Sequence, residues 1–253
     1  MENKVNTLYR TIEILDSFSV EHPELGVRET ARKLGISSSS AGRLLAGLKE
    51  LGVLIQNPAT KNYALGGKVL AWAGVYNTTL DIRTKAAPYL EELRRETQET
   101  ISLYVLEGDV RVCVERLESA QNIRMVSRIG IQLPLYAGSA GKVFLAFLPP
   151  ERREEILART NFEALTPNTI IDREKIKTEI ERVRKLGYAD SYGEWILEAA
   201  GVAAPIFDKT GSVIAVLTIS GPTQRFTSEN VDRYVPILLK TASEISRDMG
   251  FFK

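Results

Sequence analysis

Histidine and cysteine are nearly missing from this sequence, with one of each, His22 and Cys113, in 253 residues. A lone cysteine excludes an internal disulfide and suits a reducing compartment. One His and one Cys leave a zinc site short of its usual ligands. A serine triad would have to recruit His22 from another part of the chain. No metal and no cofactor is therefore expected, and no catalytic residue is assigned. His22 lies in Glu21–Gly26, a polar stretch punctuated by Pro23 and Gly26, and reads as an exposed loop residue. Long apolar runs are also absent: no stretch approaches the ~20 residues that span a bilayer. The start, Met1-Glu2-Asn3-Lys4, lacks the apolar run of a signal peptide. A cytoplasmic protein without a membrane partner is expected. Charge of one sign is scarce as well, the net being +1. Residues 1–68 hold nine Lys/Arg against seven Asp/Glu and the remainder 24 against 25, so any affinity for DNA should be modest and salt-sensitive.

What is present is ordinary globular composition, 44% hydrophobic and 26% charged, at a length that suggests two domains. The organising stretch is Val27–Leu65. A helix over Val27–Leu34 stops at Gly35, and Ser37 is placed to cap a second helix. That helix carries Ala41, Leu44, Leu45, Leu48 and Leu51 at three- and four-residue spacing. Its other face shows Ser38, Ser39, Ser40 and Arg43. Gly52 ends it, and Val53–Ile55 and Tyr63–Leu65 flank Asn57–Asn62 as strand, turn, strand. This is the pattern of a winged helix-turn-helix, which offers a helix start to base edges and cations and amides to phosphates. The same helix pair also occurs as a plain packing unit, and a serine run also serves as a solvated helix start. Ahead of it, Val5–Ser19 places Val5, Leu8, Ile12, Leu15 and Phe18 on one helical face. After it, Lys68–Leu80 reads as a helix with an unusually apolar surface (Val69, Leu70, Trp72, Ala73, Val75, Tyr76) that asks for a partner. A second copy of the chain is one such partner, since a pseudo-palindromic operator is matched by a two-fold dimer.

The expected division is residues 1–66 for the DNA module, 67–80 for a linker helix and 81–253 for a second domain. In that domain a helix over Ile82–Glu99 precedes strands at Ile101–Leu106, Val110–Leu117 and Ile123–Ile129. Then come a short helix, Val143–Leu148, and helices at Pro150–Arg159 and Asp172–Leu186. Strands at Ala199–Phe207 and Val213–Ser220 follow, with a last helix over Ser228–Met249. The class is two-domain α+β, the second domain having a mainly antiparallel sheet.

The chemically loudest feature of the second domain is Gly138-Ser139-Ala140-Gly141 at the mouth of a helix. Small residues let backbone amides approach a ligand, and a helix N-terminus favours an anion. It is not a Walker loop, because Tyr136 stands where the first glycine belongs and Val143 replaces the Ser/Thr. It is not a nucleophile elbow, which would need glycine at Ala137. A tight turn with no ligand is the competing reading. Ser191, Glu194, Thr218 and Ser220 are further polar groups near strand-like segments. Thr218 and Ser220 share one strand face and could converge with the glycine turn on a small acid.

Three segments spell a known family. They are A-x-x-L-G-I-S…R-L-L-x-x-L-x-x-L-G, then L-P-L-Y-A-G-S-A-G-K-V-F-L-A-F-L-P, and R-K-L-G-Y-A…G-V-A-A-P-I-F-D…I-S-G-P. Over nearly its full length the sequence resembles bacterial transcriptional regulators of the IclR type. The resemblance implies an N-terminal winged helix-turn-helix, a C-terminal GAF-like effector-binding domain with flanking helices, and a homodimer or dimer of dimers. It also implies control of operator affinity by a small-molecule effector, often an organic acid, with repressor favoured over activator. Carried over residue by residue, the effector pocket falls on Ser139 and Ala140, and on Thr218 and Ser220, with Met125 and Leu133 as apolar lining; Ser191, one of the polar groups near the strands, is added to these candidates. The sequence departs from the family where many members have an acidic run and a cysteine: here Ser191-Tyr192-Gly193-Glu194 and Gly201 stand instead. On the DNA side the candidates are Arg28, Ser38, Ser39, Ser40 and Arg43, with Lys61 and Asn62 on the wing. The rival reading is an enzyme or sensor that uses the second domain, with DNA binding secondary.

Overall fold

Gly35 adopts the left-handed conformation (φ 63°) that ends one helix, and two residues later Ser37 accepts the Ser40 amide at 3.2 Å to start the next. These two local choices set the first of two units, Met1–Leu80, in a computed structural model that describes residues 2–78, 81–123 and 128–252. The unit contains α1 (Glu2–Asp16), β1 (Glu24–Leu25), α2 (Val27–Leu34), α3 (Ser38–Glu50), β2 (Leu54–Gln56), β3 (Tyr63–Leu65) and α4 (Gly67–Thr78). Ile14, Leu45, Leu48, Val53, Leu54 and Tyr63 close its core, with Leu15, Phe18 and Val69 against them.

Two expectations change here. The Glu21–Gly26 stretch is not only loop: Glu24 and Leu25 pair with Ala64 and Tyr63, giving a three-stranded sheet in the order β1-β3-β2. Leu25 is fully buried, and that burial is the reason a two-residue strand persists in a polar stretch. Among the described side chains of α1, Ile14 is buried and Leu15 packs against the core, whereas Leu8 and Ile12 are exposed together with Tyr9; the side chain of Val5 lies outside those described. At 100° per residue, a helix that turns Ile14 inward turns positions 8, 9 and 12 largely away.

The second unit, Asp81–Lys253, is built on a six-stranded antiparallel sheet in the order β6-β5-β4-β9-β8-β7. Its elements are α5 (Asp81–Thr97), β4 (Thr100–Glu107), β5 (Val110–Leu117), β6 (Gln132–Pro134), α6 (Ser139–Phe147), α7 (Pro150–Arg159), α8 (Arg173–Leu186), β7 (Ala189–Tyr192), β8 (Ala199–Phe207), β9 (Val213–Pro222) and α9 (Ser228–Asp248). Helices α5 and α9 pack on one face of the sheet, α6 to α8 on the other. Both faces are covered, which is why β8 and β9 read as near-continuous apolar runs.

The third strand differs from expectation. Of Ile123–Ile129, residues 124–127 lie outside the described residues, and Ile123, Arg128 and Ile129 are not in a strand. The strand is Gln132–Pro134, paired with Val110–Val112. The helix expected at Val143 begins at Ser139, because Gly138 (φ 84°) turns the chain straight into it.

Candidate functional site

Two surfaces carry the chemistry, one in each unit. In the first unit the start of α3 is exposed at Ser38, Ser39 and Arg43, with Ser40 half-buried. The hydroxyls of Ser39 and Ser40 each lie 3.0 Å from the Ser37 hydroxyl, and the Arg43 guanidinium donates to Ser40 Oγ at 3.5 Å. This makes a short polar platform with one cation at its edge. Arg28 is exposed at the second position of α2. The wing turn is stiffened from within. Asn57 exchanges backbone bonds with Lys61 and Asn62, and Glu24 accepts from Asn57 Nδ2 at 3.0 Å and Thr60 Oγ1 at 3.2 Å. Lys61 is exposed and itself adopts a left-handed conformation (φ 61°). Asn62 is half-buried, its side chain so close to Gly26 that a Cβ there would meet Asn62 Oδ1 at 2.9 Å. Of the two wing candidates, Lys61 is the one that reaches outward.

In the second unit, register assembles the site. Ser191 pairs with Gly201, Gly201 with Ser220 and Ser220 with Thr100, so one cross-strand row runs over four strands. Two residues along, the row is Ala203, Thr218, Ser102 and Arg116. The first turn of α6 lies over these rows. A Cβ at Gly201 would sit 3.5 Å from Ser139 Oγ, and one at Gly141 would press into the Leu135 carbonyl carbon at 2.6 Å. Only glycine at 141 lets α6 settle so close to the end of β6.

The result is a cavity of about 90 Å³ lined by Leu133, Ser139, Ala140, Ser191, Thr218 and Ser220. All six were expected from the sequence; the seventh, Met125, lies outside the described residues. Thr218 donates to the Ser102 carbonyl at 3.3 Å and Ser220 to that of Thr100 at 3.5 Å. Gly201 joins the lining, and Trp195 and Ile196 contribute from the β7–β8 turn. That turn is held by Gly193 (φ 66°) and by Thr169 Oγ1, which donates to the Glu194 carbonyl at 2.8 Å.

Of the charged groups at this site the sequence singled out Glu194, but not its partners, and it missed Arg111 and Arg116. Glu194 is buried and accepts the Gly138 amide at 2.9 Å and the Lys142 ammonium at 2.6 Å, so an acid from the β7–β8 turn caps the start of α6. Arg111, Arg116 and Tyr104 also line the cavity. Arg111 donates to the Pro134 carbonyl and lies 5.7 Å from the centre of the Tyr104 ring. Burial lowers the Arg111 pKa to about 10, lowers that of Arg116, and pushes the Cys113 thiol up to about 11. The signals were legible in principle. Arg111 sits in Val-Arg-Val-Cys-Val, and Lys142 is the one charge in Ser139–Phe147. Among the described residues no group of His, Cys, Asp and Glu is arranged to hold a metal ion.

Residues 75–247 match the family model for the IclR C-terminal domain of bacterial transcriptional regulators, and residues 7–58 match the IclR helix-turn-helix domain. The HTH-type transcriptional regulator KipR of Bacillus subtilis (strain 168) is 33% identical over 99% of this chain and 100% of its own. The crystal structure of the Thermotoga maritima IclR superposes with a TM-score of 0.82 at 34% identity, covering 98% of this chain and 100% of that one. An IclR homologue from Microbacterium hydrocarbonoxydans, complexed with 4-hydroxybenzoate, superposes at 0.83 with 27% identity, covering 96% and 99%.

Proposed function

The chain belongs to the IclR family of bacterial transcriptional regulators, and we propose that it is a homodimeric repressor whose hold on a pseudo-palindromic operator is set by a small organic acid. In this reading Arg43, Ser38, Ser39 and Ser40 face base edges and adjacent phosphates. Arg28 contacts the backbone from α2, and Lys61, with Asn62 beside it, contacts it from the wing. The acid occupies the cavity beneath α6, its carboxylate on the first-turn amides of Ser139 and Ala140 and its body against Leu133, Thr218, Ser220 and Ser191. Residues 1–66 act as the DNA module, 67–80 as the connecting helix and 81–253 as the sensor.

The observation that carries the proposal is the convergence of those six residues, from four separate elements, on one pocket. The relative bound to 4-hydroxybenzoate, itself a carboxylic acid, supports an acid as ligand. The cavity lining contains no His, Asp or Glu among the described residues, so it offers no base to activate a serine hydroxyl, and we read binding without turnover. Exposed apolar residues on α1 (Leu8, Tyr9, Ile12) and α4 (Leu70, Trp72, Val75) support a second copy as partner. Repression is the simpler output, since an occupied operator blocks transcription with no further surface. No described helix is long and apolar enough to cross a membrane, which fits work in the cytoplasm. Ligand binding acts by population shift: the acid favours one arrangement of sensor and DNA modules, and operator affinity follows.

The test is selection of bound sequences from random duplexes at two salt concentrations. Enrichment of half-sites spaced by about one helical turn, or a multiple of it, is expected. Weak, sequence-blind binding that vanishes with salt would contradict the proposal.

A further inference from the structure

Among the described residues of the second unit, two cations are buried to 4% exposure, Lys142 and Arg111. Lys142 lies 2.6 Å from Glu194 and 3.4 Å from Glu179, so its charge is matched within the protein. Arg111 has no carboxylate partner among the described residues. Its one hydrogen bond to them is donated to the Pro134 carbonyl, and its Nε is buried with no acceptor. Glu194 is the carboxylate whose field reaches it. Both Glu194 oxygens are already committed, to Lys142 and to the Gly138 amide.

The sheet register aims this guanidinium. Arg111 stands between Leu133 of β6 and Leu106 of β4, and it lines the cavity together with Leu133. From there it reaches under the glycine turn: a Cβ at Gly138 would lie 3.2 Å from its Nη2, and one at Gly141 2.7 Å from its Nη1. Glycine at both ends of Gly138–Gly141 gives the guanidinium its room. The same turn opens α6, whose first amides have no partner within the helix. Burial lowers the Arg111 pKa only to about 10, so it stays cationic at neutral pH. A buried cation without a counter-charge is costly. Here that cation and a helix N-terminus, two sources of positive potential, border one space.

We propose that Arg111 is the counter-ion of the effector, whose carboxylate bridges the guanidinium and the Ser139 and Ala140 amides, so that the cavity takes the anion and refuses its neutral analogue. The inference rests on the effector reading above and deepens it by naming the residue that sets the charge of the ligand. Backbone amides alone also accept a neutral carbonyl oxygen. A guanidinium facing a neutral ligand stays uncompensated, and one facing a carboxylate gains a charge-assisted bond.

The test is calorimetric titration of the full-length protein at constant ionic strength with propionate, lactate and 4-hydroxybenzoate, each beside its primary amide. Inorganic phosphate serves as a non-carboxylate anion. The parent should prefer the best acid over its amide by more than about tenfold. Arg111→Met removes the charge and should cut that preference about tenfold by weakening the acid alone. Arg111→Lys, which keeps the charge without the planar fork, should retain part of it. Urea unfolding shows that each variant is folded. An arginine that serves only the fold would move acid and amide together, so equal weakening of both overturns this inference alone, as does a preference unchanged in both variants. Phosphate binding as tightly as the best acid also overturns it. If neither variant folds, Arg111 is a structural cation and the inference falls. Equal binding of acid and amide by the parent overturns it together with the choice of an acid as effector. If none of the three acids binds the parent, the effector reading of the cavity falls with it.

Discussion

The Lys142 ammonium lies 2.6 Å from one oxygen of Glu194, whose other oxygen accepts the Gly138 amide at 2.9 Å. One buried acid therefore neutralises the only charge on α6 and fixes the turn from which that helix starts. The pair holds the floor of the cavity in place, with Glu179 at 3.4 Å as a weaker second partner for the lysine.

Removing half of such a pair costs more than removing both. Glu194→Ala strands Lys142 and unties the Gly138 amide, and a loss of about 3 kcal/mol is expected, at the low end for a broken buried pair because Glu179 remains. Combining Lys142→Met with Glu194→Leu should cost less than Glu194→Ala alone. Urea unfolding followed through Trp195 measures both. A Glu194→Ala variant within about 0.5 kcal/mol of the parent would show that the pair is not structural.

Two glycines in helices should respond oppositely to alanine. At Gly141 the new methyl would meet the Leu135 carbonyl carbon at 2.6 Å, and backbone there cannot yield without lifting α6. A loss of about 1–3 kcal/mol and a disrupted cavity are expected. At Gly47, inside α3, a Cβ meets nothing within 4 Å. Gly47→Ala should stabilise the first unit by about 0.5–1 kcal/mol. Thermal unfolding of the two variants beside the parent decides; a neutral Gly141→Ala would mean that α6 sits less tightly on β6 than described.

Burial holds Cys113 as a thiol. Its pKa is pushed up to about 11, with desolvation the main cause, so at pH 8 the native protein carries less of the reactive thiolate than an unfolded chain does. Reaction with an aromatic disulfide reagent at pH 8 should be slow in the native state and complete in denaturant. Rising pH should go on speeding the native reaction until it levels off near the raised pKa, well beyond the pH at which the denatured chain levels off. Fast native labelling at pH 8 would show that the core around Tyr104 and Val143 opens readily.

Local punctuation was legible in the sequence because it is decided locally. Gly35 and Ser37 end and begin helices by their own conformations, and the limits of α2 and α7 follow from spacing and caps alone. What escaped depends on partners far away in the chain. Leu25 becomes strand only because Tyr63 lies beside it, and Gln132–Pro134, a stretch with no strand pattern of its own, pairs with β5. The cavity split the same way. Thr218 and Ser220 show their shared face by alternation, so they could be grouped. Arg111 and Arg116 have the wrong parity until a bulge corrects it, and no periodicity in a single strand announces a bulge that the neighbouring strand helps to create.

In the proposed reading, Arg43 and Lys61 make two different kinds of DNA contact. Arg43 projects from the polar platform at the start of α3, and in that reading a side chain of its length there reaches base edges and adjacent phosphates. Lys61 stands on the tip of a stiff turn, and the proposal gives its flexible ammonium backbone charge to meet and little else. Arg43→Ala should cost about 1–3 kcal/mol on the preferred operator and relax selectivity at one base pair of each half-site. Lys61→Ala should weaken preferred and scrambled duplexes by the same factor and lower the slope of log affinity against log salt by about one unit. Fluorescence anisotropy on both duplexes across a salt series reads the two effects together. If Arg43→Ala lowers affinity for both duplexes equally, Arg43 is a phosphate contact and base reading belongs to the serines beside it. If it changes neither, the recognition surface is not the start of α3.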